Sequence, residues 1–65
     1  MEKTSILEIE QQFGFLELVI NKLKVNISRL KIQPESLYVK TNINKNLNEI
    51  KRKCYKINKG LENVS

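Results

Sequence analysis

Residues 49–56 read EIKRKCYK and hold the chain's one cysteine among four cationic side chains. Neighbouring positive charge lowers a thiol's pKa and makes it more nucleophilic. The same cations, Lys51, Arg52, Lys53 and Lys56, with Lys59 shortly after them, could also neutralise phosphates. Two chemistries therefore meet on one run: a reactive thiol and an anion-binding patch. The rest of the chain offers chemistry little else. It has no histidine and no aspartate, so glutamate is the only acidic side chain. That removes most general bases and metal-ligand sets. One cysteine forms no internal disulfide. No phosphate-cradling glycine loop and no HExxH pair occurs. The expectation is a protein that is not an enzyme, with no cofactor and no metal.

What Cys54 can do depends on the element that carries it. In the first half, apolar residues fall at Ile6, Ile9, Phe13, Leu16, Ile20, Leu23, Ile27 and Leu30. Their spacing alternates between three and four, which is a heptad seam with a at 6, 13, 20 and 27 and d at 9, 16, 23 and 30. The second half repeats it at Ile43, Leu47, Ile50, Cys54, Ile57, Leu61 and Val64. Here Leu47, Cys54 and Leu61 take the a positions, so the two seams are out of phase. Pro34 lies in the gap between them. Proline disfavours helix at the residue before it and suits the first turn of a new helix.

These features predict one small domain over residues 1–65, with helices of about 5–32 and 35–63 and a connection around Pro34. Ser5 and Glu8 have capping-box form at the first helix start. The TNINKNLN stretch is expected to be helical but prone to fraying, because asparagine and threonine are poor helix formers.

Charge selects how the helices meet. Residues 1–19 are net acidic and residues 51–59 are strongly basic. An antiparallel hairpin sets these stretches side by side, whereas a parallel pair of long helices would not. Isoleucine at a with leucine at d, by contrast, is a parallel-dimer preference. The predicted fold is all-α: an antiparallel two-helix hairpin with coiled-coil-like seams. Ile20, Leu23, Ile27, Leu30, Leu47, Ile50, Cys54, Ile57 and Leu61 are the expected seam between the helices. Cys54 on that seam would be a buried, inert thiol.

A chain of 65 residues buries only about 60 % of its unfolded surface, which leaves a lone hairpin poorly closed. The first helix carries further apolar residues off its seam. Leu18, Val25 and Ile32 recur every seven residues, with Phe15 nearby. A helix apolar on two faces is usually covered on both. Phe15, Leu18, Val25 and Ile32 are therefore the expected partner interface, toward a second copy or a larger complex. The start, MEKTSILEIEQQ, is charged and lacks a signal-peptide apolar core, and no span of about 20 apolar residues occurs. An intracellular, soluble protein is expected, in cytoplasm or nucleus.

Residues 9–24, IEQQFGFLELVINKLK, are similar to the start of exonuclease VII small subunits, short helical hairpins that assemble on a large catalytic subunit. Cys54, Leu61 and Glu62 fit that pattern loosely. The resemblance covers about a quarter of the chain, the glycines that family carries are missing, and the two halves lie further apart. The small two-helix sporulation phosphatases are similar in size, but the essential acid of their motif is replaced by Asn48. No family is assigned on these grounds. Two functions are expected in turn. The first is a non-catalytic accessory subunit or adaptor working through helix packing. The second is a small basic nucleic-acid-binding protein, or an accessory subunit of a nucleic-acid enzyme, using Lys51, Arg52, Lys53, Lys56 and Lys59.

Overall fold

A computed structural model describes residues 3–64. Two helices, α1 (Ile6–Ile32) and α2 (Leu37–Glu62), lie side by side as an antiparallel hairpin. The hairpin is long and thin, about 48 × 15 × 11 Å across its backbone. Among the described residues, no helix is long and apolar enough to cross a membrane.

Each helix starts where a serine can cap it. Ser5 Oγ accepts from the backbone N–H of Glu8 at 3.2 Å, and Ser36 Oγ accepts from Val39 at 3.2 Å. These bonds satisfy amides that have no partner inside the helix. The second helix begins at Leu37 rather than at 35, because Ser36 provides its cap. Pro34 sits just before it, in the turn, where the Ser36 N–H donates to the Gln33 carbonyl at 3.1 Å. Gln33 has ψ of 68°, outside the helical range, as the residue before proline must be. The asparagine-rich stretch is continuous helix within α2. At the open end, the Thr4 N–H donates to the Asn63 carbonyl at 3.0 Å and ties the chain's two ends together.

The antiparallel sense agrees with the charge layout, but contact ion pairs do not hold it. Among the described residues the one ion pair is Lys59–Glu62 at 3.7 Å, along α2 itself. Apolar contact and one amide pair join the helices instead. Ile9, Val19, Val39 and Ile57 are the buried apolar residues, with Asn26 buried beside them. Asn26 Nδ2 donates to Asn46 Oδ1 at 2.7 Å. Near the open end, Gly60 brings α2 close: a Cβ there would lie 3.4 Å from Thr4 Cγ2 and 3.5 Å from Ile9 Cγ1.

The contact stripe differs from the expected seam by a rotation. The d residues Ile9, Leu16, Leu23, Leu30, Ile43, Ile50 and Ile57 are all buried or half-buried. Their partners on the stripe are not the a residues. They are the g residues Gln12, Val19 and Asn26 on α1, and Val39, Asn46, Lys53 and Gly60 on α2. At about 100° per residue, each helix is turned some 50° from an a/d contact. Size supplies the reason. The g column holds two valines and a glycine, which let the axes approach. The a column holds Phe13, Leu47, Leu61 and three isoleucines, which would hold the axes apart.

Candidate interaction surface

The rotation decides where the a residues go. Around a helix, a lies about 70° from the middle of the d/g stripe on one side, and c lies about 70° away on the other. In an antiparallel pair the direction of rotation reverses together with the chain direction. Equal letters on the two helices therefore come out on the same side of the hairpin. The c side is seen directly: Lys22 and Arg29 of α1, with Asn42 and Glu49 of α2, line one shallow groove of about 460 Å³. The opposite side takes the a residues of both helices: the apolar Ile6, Phe13, Ile20 and Ile27 with Leu47, Cys54 and Leu61, and Lys40 at the turn end.

Most of this side is uncovered. Ile6 is 63 % exposed, Leu61 55 % and Leu47 48 %, while Phe13 and Ile27 exceed 40 % and Ile20 is half-buried. The pairs Asn26–Asn46 and Thr4–Val64 show which residues lie level with each other. At that register the a residues interleave as Ile27, Leu47, Ile20, Cys54, Phe13, Leu61 and Ile6. They form one apolar strip running almost the length of α1. Scattered apolar side chains on a surface need no explanation, but a contiguous strip does.

The structure thus divides the expected seam. Leu23, Leu30, Ile50 and Ile57 lie between the helices, and Ile20 lies at the edge of the contact. Ile27, Leu47, Cys54 and Leu61 are exposed on the strip. The expectation of a Cys54 buried within the hairpin is corrected by this rotation, which turns its side chain away from α1. Sequence reasoning missed Asn26, Asn46 and Gln12 as contact residues, because polar residues do not register in an apolar count. The signal that could have found them is Asn26 lying seven residues after Val19 and fourteen after Gln12.

The expected partner interface is exposed as well. Phe15, Leu18, Val25 and Ile32 lie on the outer face of α1 toward the c side, away from the strip. Phe15 is partly covered by Lys53, whose Nζ stands 5.3 Å from the ring centre.

The five basic residues do not form one patch: Arg52, Lys56 and Lys59 share one side of α2, and Lys51 and Lys53 do not. Lys53 turns inward over Phe15, while Lys51 flanks the apolar strip and Arg52 and Lys59 lie on the back of α2. Lys59 is engaged locally, by Glu62 and by the Tyr55 ring at 5.7 Å. Lys56 and Lys59 border a groove of about 290 Å³ near the open end, beside Gln12. Gln12 Oε1 is enclosed there with no donor among the described residues. The sequence matches no family model, no curated protein and no solved structure.

Proposed function

We propose that this chain is a non-catalytic protein-interaction module, a small helical accessory subunit or adaptor that works through apolar helix packing. The observation that supports this is the strip on which seven a residues, drawn from both helices, stand side by side. Only four apolar residues are buried among those described, so the hairpin exposes much of the apolar surface its sequence provides. Covering such a strip is favourable at roughly 25 cal/mol per Å². Phe15, Leu18, Val25 and Ile32 provide a second, narrower apolar column on α1 for a further contact. No cofactor is part of this reading.

The second reading is nucleic-acid binding. It is favoured by Arg52, Lys56 and Lys59, which share the outer side of α2, and by the net charge of +5. Against it, the remaining cations of the run point elsewhere, and Tyr38 and Tyr55 stand on one helix without a platform for stacked bases.

One pair of variants separates the readings. Phe13→Ser with Ile27→Ser attacks the strip, and Arg52, Lys56 and Lys59→Gln removes charge from the back of α2. Neither set touches a buried residue. The interaction reading expects the serine pair to abolish assembly and the glutamine set to leave it in place. Should the chain bind mixed-sequence duplex DNA or RNA with a steep salt dependence, lost only in the glutamine set, the nucleic-acid reading replaces it.

A further inference from the structure

We infer that the occupant of the apolar strip is a second copy of this chain, docked face to face and antiparallel, so that two hairpins form a four-helix bundle. This rests on the interaction reading and names its partner.

The rotation of the helices is the first argument. In a four-helix bundle each helix touches two neighbours, on sides about 90° apart, and the residues between those sides point at the core. Here the d/g stripe meets the helix of the same chain. A neighbour about 90° further round would meet the a/e stripe. The direction between the two is a/d, which is the apolar seam of the sequence. The seam that fits the hairpin poorly therefore fits the core of a bundle built from two hairpins. Burial agrees. On α1 the g residues Val19 and Asn26 are buried, while the d residues Leu16, Leu23 and Leu30 are only half-buried; Ile9, packed against Gly60 at the open end, is the one buried d residue there. Leucines aimed between two contacts, one of them missing, would look like this.

Charge selects the orientation. The e positions of α1, along the outer edge of the strip, are Glu10, Glu17, Lys24 and Lys31. The sign reverses about Ile20. A two-fold axis through Ile20, perpendicular to the helices, sets Glu10 against Lys31 of the second copy and Glu17 against Lys24 of the second copy. Each pairing occurs twice in the dimer. The same axis sets Phe13 against Ile27 of the second copy and Leu47 against Cys54 of the second copy. Its one like-charged meeting is Lys51 with its own counterpart. The other orientation, α1 upon α2 of the second copy, pairs Glu17 with Lys51 but brings Lys31 to Lys40. Ile20 also lies within one residue of the midpoint of α1, so the antiparallel hairpins overlap over their full length.

The size suffices. From Ile6 to Ile27 the strip runs about 32 Å at 1.5 Å per residue. Across the hairpin's 15 Å width that is on the order of 450 Å² of projected face per copy. Side chains corrugate the face, so a pair buries on the order of 1,000 Å² or more, enough for a specific interface.

The test uses the full chain with Cys54→Ala, which keeps an apolar residue in the strip. Ile20→Cys places one thiol next to the two-fold axis. Ile27→Cys places its two copies about 21 Å apart. A short bismaleimide is expected to link Ile20→Cys into covalent dimers and to leave Ile27→Cys monomeric, with circular dichroism showing that both remain helical. In a second, surface-only test, Glu17→Lys is expected to weaken dimerisation several-fold to tenfold, and adding Lys24→Glu to restore it. Cross-linking at residue 27 instead of 20, or no rescue by Lys24→Glu, overturns the antiparallel second copy. A chain that stays at 7.6 kDa overturns self-pairing. These outcomes leave the interaction reading standing, which fails separately if the chain binds duplex DNA or RNA with a steep salt dependence and loses that binding only in the glutamine set.

Discussion

Asn26 and Asn46 meet across the hairpin, the Nδ2 of the first donating to the Oδ1 of the second at 2.7 Å. Asn26 is buried and its stripe neighbours Val19, Leu23 and Leu30 are apolar, so this bond is the polar exception in a mostly apolar stretch. A part-buried amide pair of this kind sets register, because sliding one helix by a turn of about 5.4 Å separates the two groups.

Removing either partner leaves the other without its bond. Asn26→Ala is expected to destabilise the chain by about 1–2 kcal/mol in urea unfolding, and Asn46→Ala, at a half-buried site, by less. The double variant should cost less than the sum, since no orphaned amide remains. Strictly additive costs would show that the bond contributes nothing to stability.

Gly14 tests a position that serves neither contact. It lies on the back of α1, and a Cβ there would meet nothing within 4 Å. Gly14→Ala should therefore raise stability by about 1 kcal/mol through helix propensity alone. Thermal unfolding should shift upward by several degrees, while the strength of assembly stays the same. A drop in stability would mean that something covers the back of α1.

Cys54 is exposed in the isolated hairpin and lies on the strip. Its reaction with a thiol reagent should be fast at low protein concentration. It should slow as concentration rises and the strip becomes covered. In the Phe13→Ser, Ile27→Ser variant the rate should stay fast throughout. A rate that is slow even at the lowest concentration would return Cys54 to the inside of the hairpin.

The elements were legible because their signals are local. Ser5 with Glu8, the two runs of 3/4 spacing and Pro34 between them mark two helices and a turn without any knowledge of packing. The largest boundary difference is the start of α2, two residues later than expected, since Pro34 suits either a turn or a first helical residue and Ser36 decides. The antiparallel sense could be read from the opposed charge of residues 1–19 and 51–59. Which side of each helix meets the other could not. An apolar count picks the largest residues, Phe13, Ile27, Leu47 and Leu61. The contact was won by Val19, Val39, Gly60 and the asparagine pair, through close approach and amide complementarity. The a/d spacing is equally compatible with a two-stranded contact and with a bundle core, so spacing alone cannot tell which one Cys54 belongs to.

Sedimentation equilibrium of the intact chain, over a wide concentration range and at two salt concentrations, tests the strip as an assembly surface most directly. The expected result is a reversible species of twice the 7.6 kDa chain mass. It should disappear in Phe13→Ser with Ile27→Ser and persist when Arg52, Lys56 and Lys59 become glutamine. A mass of 7.6 kDa at every concentration, or a dimer indifferent to the serine pair, would contradict the pairing of two copies through the strip.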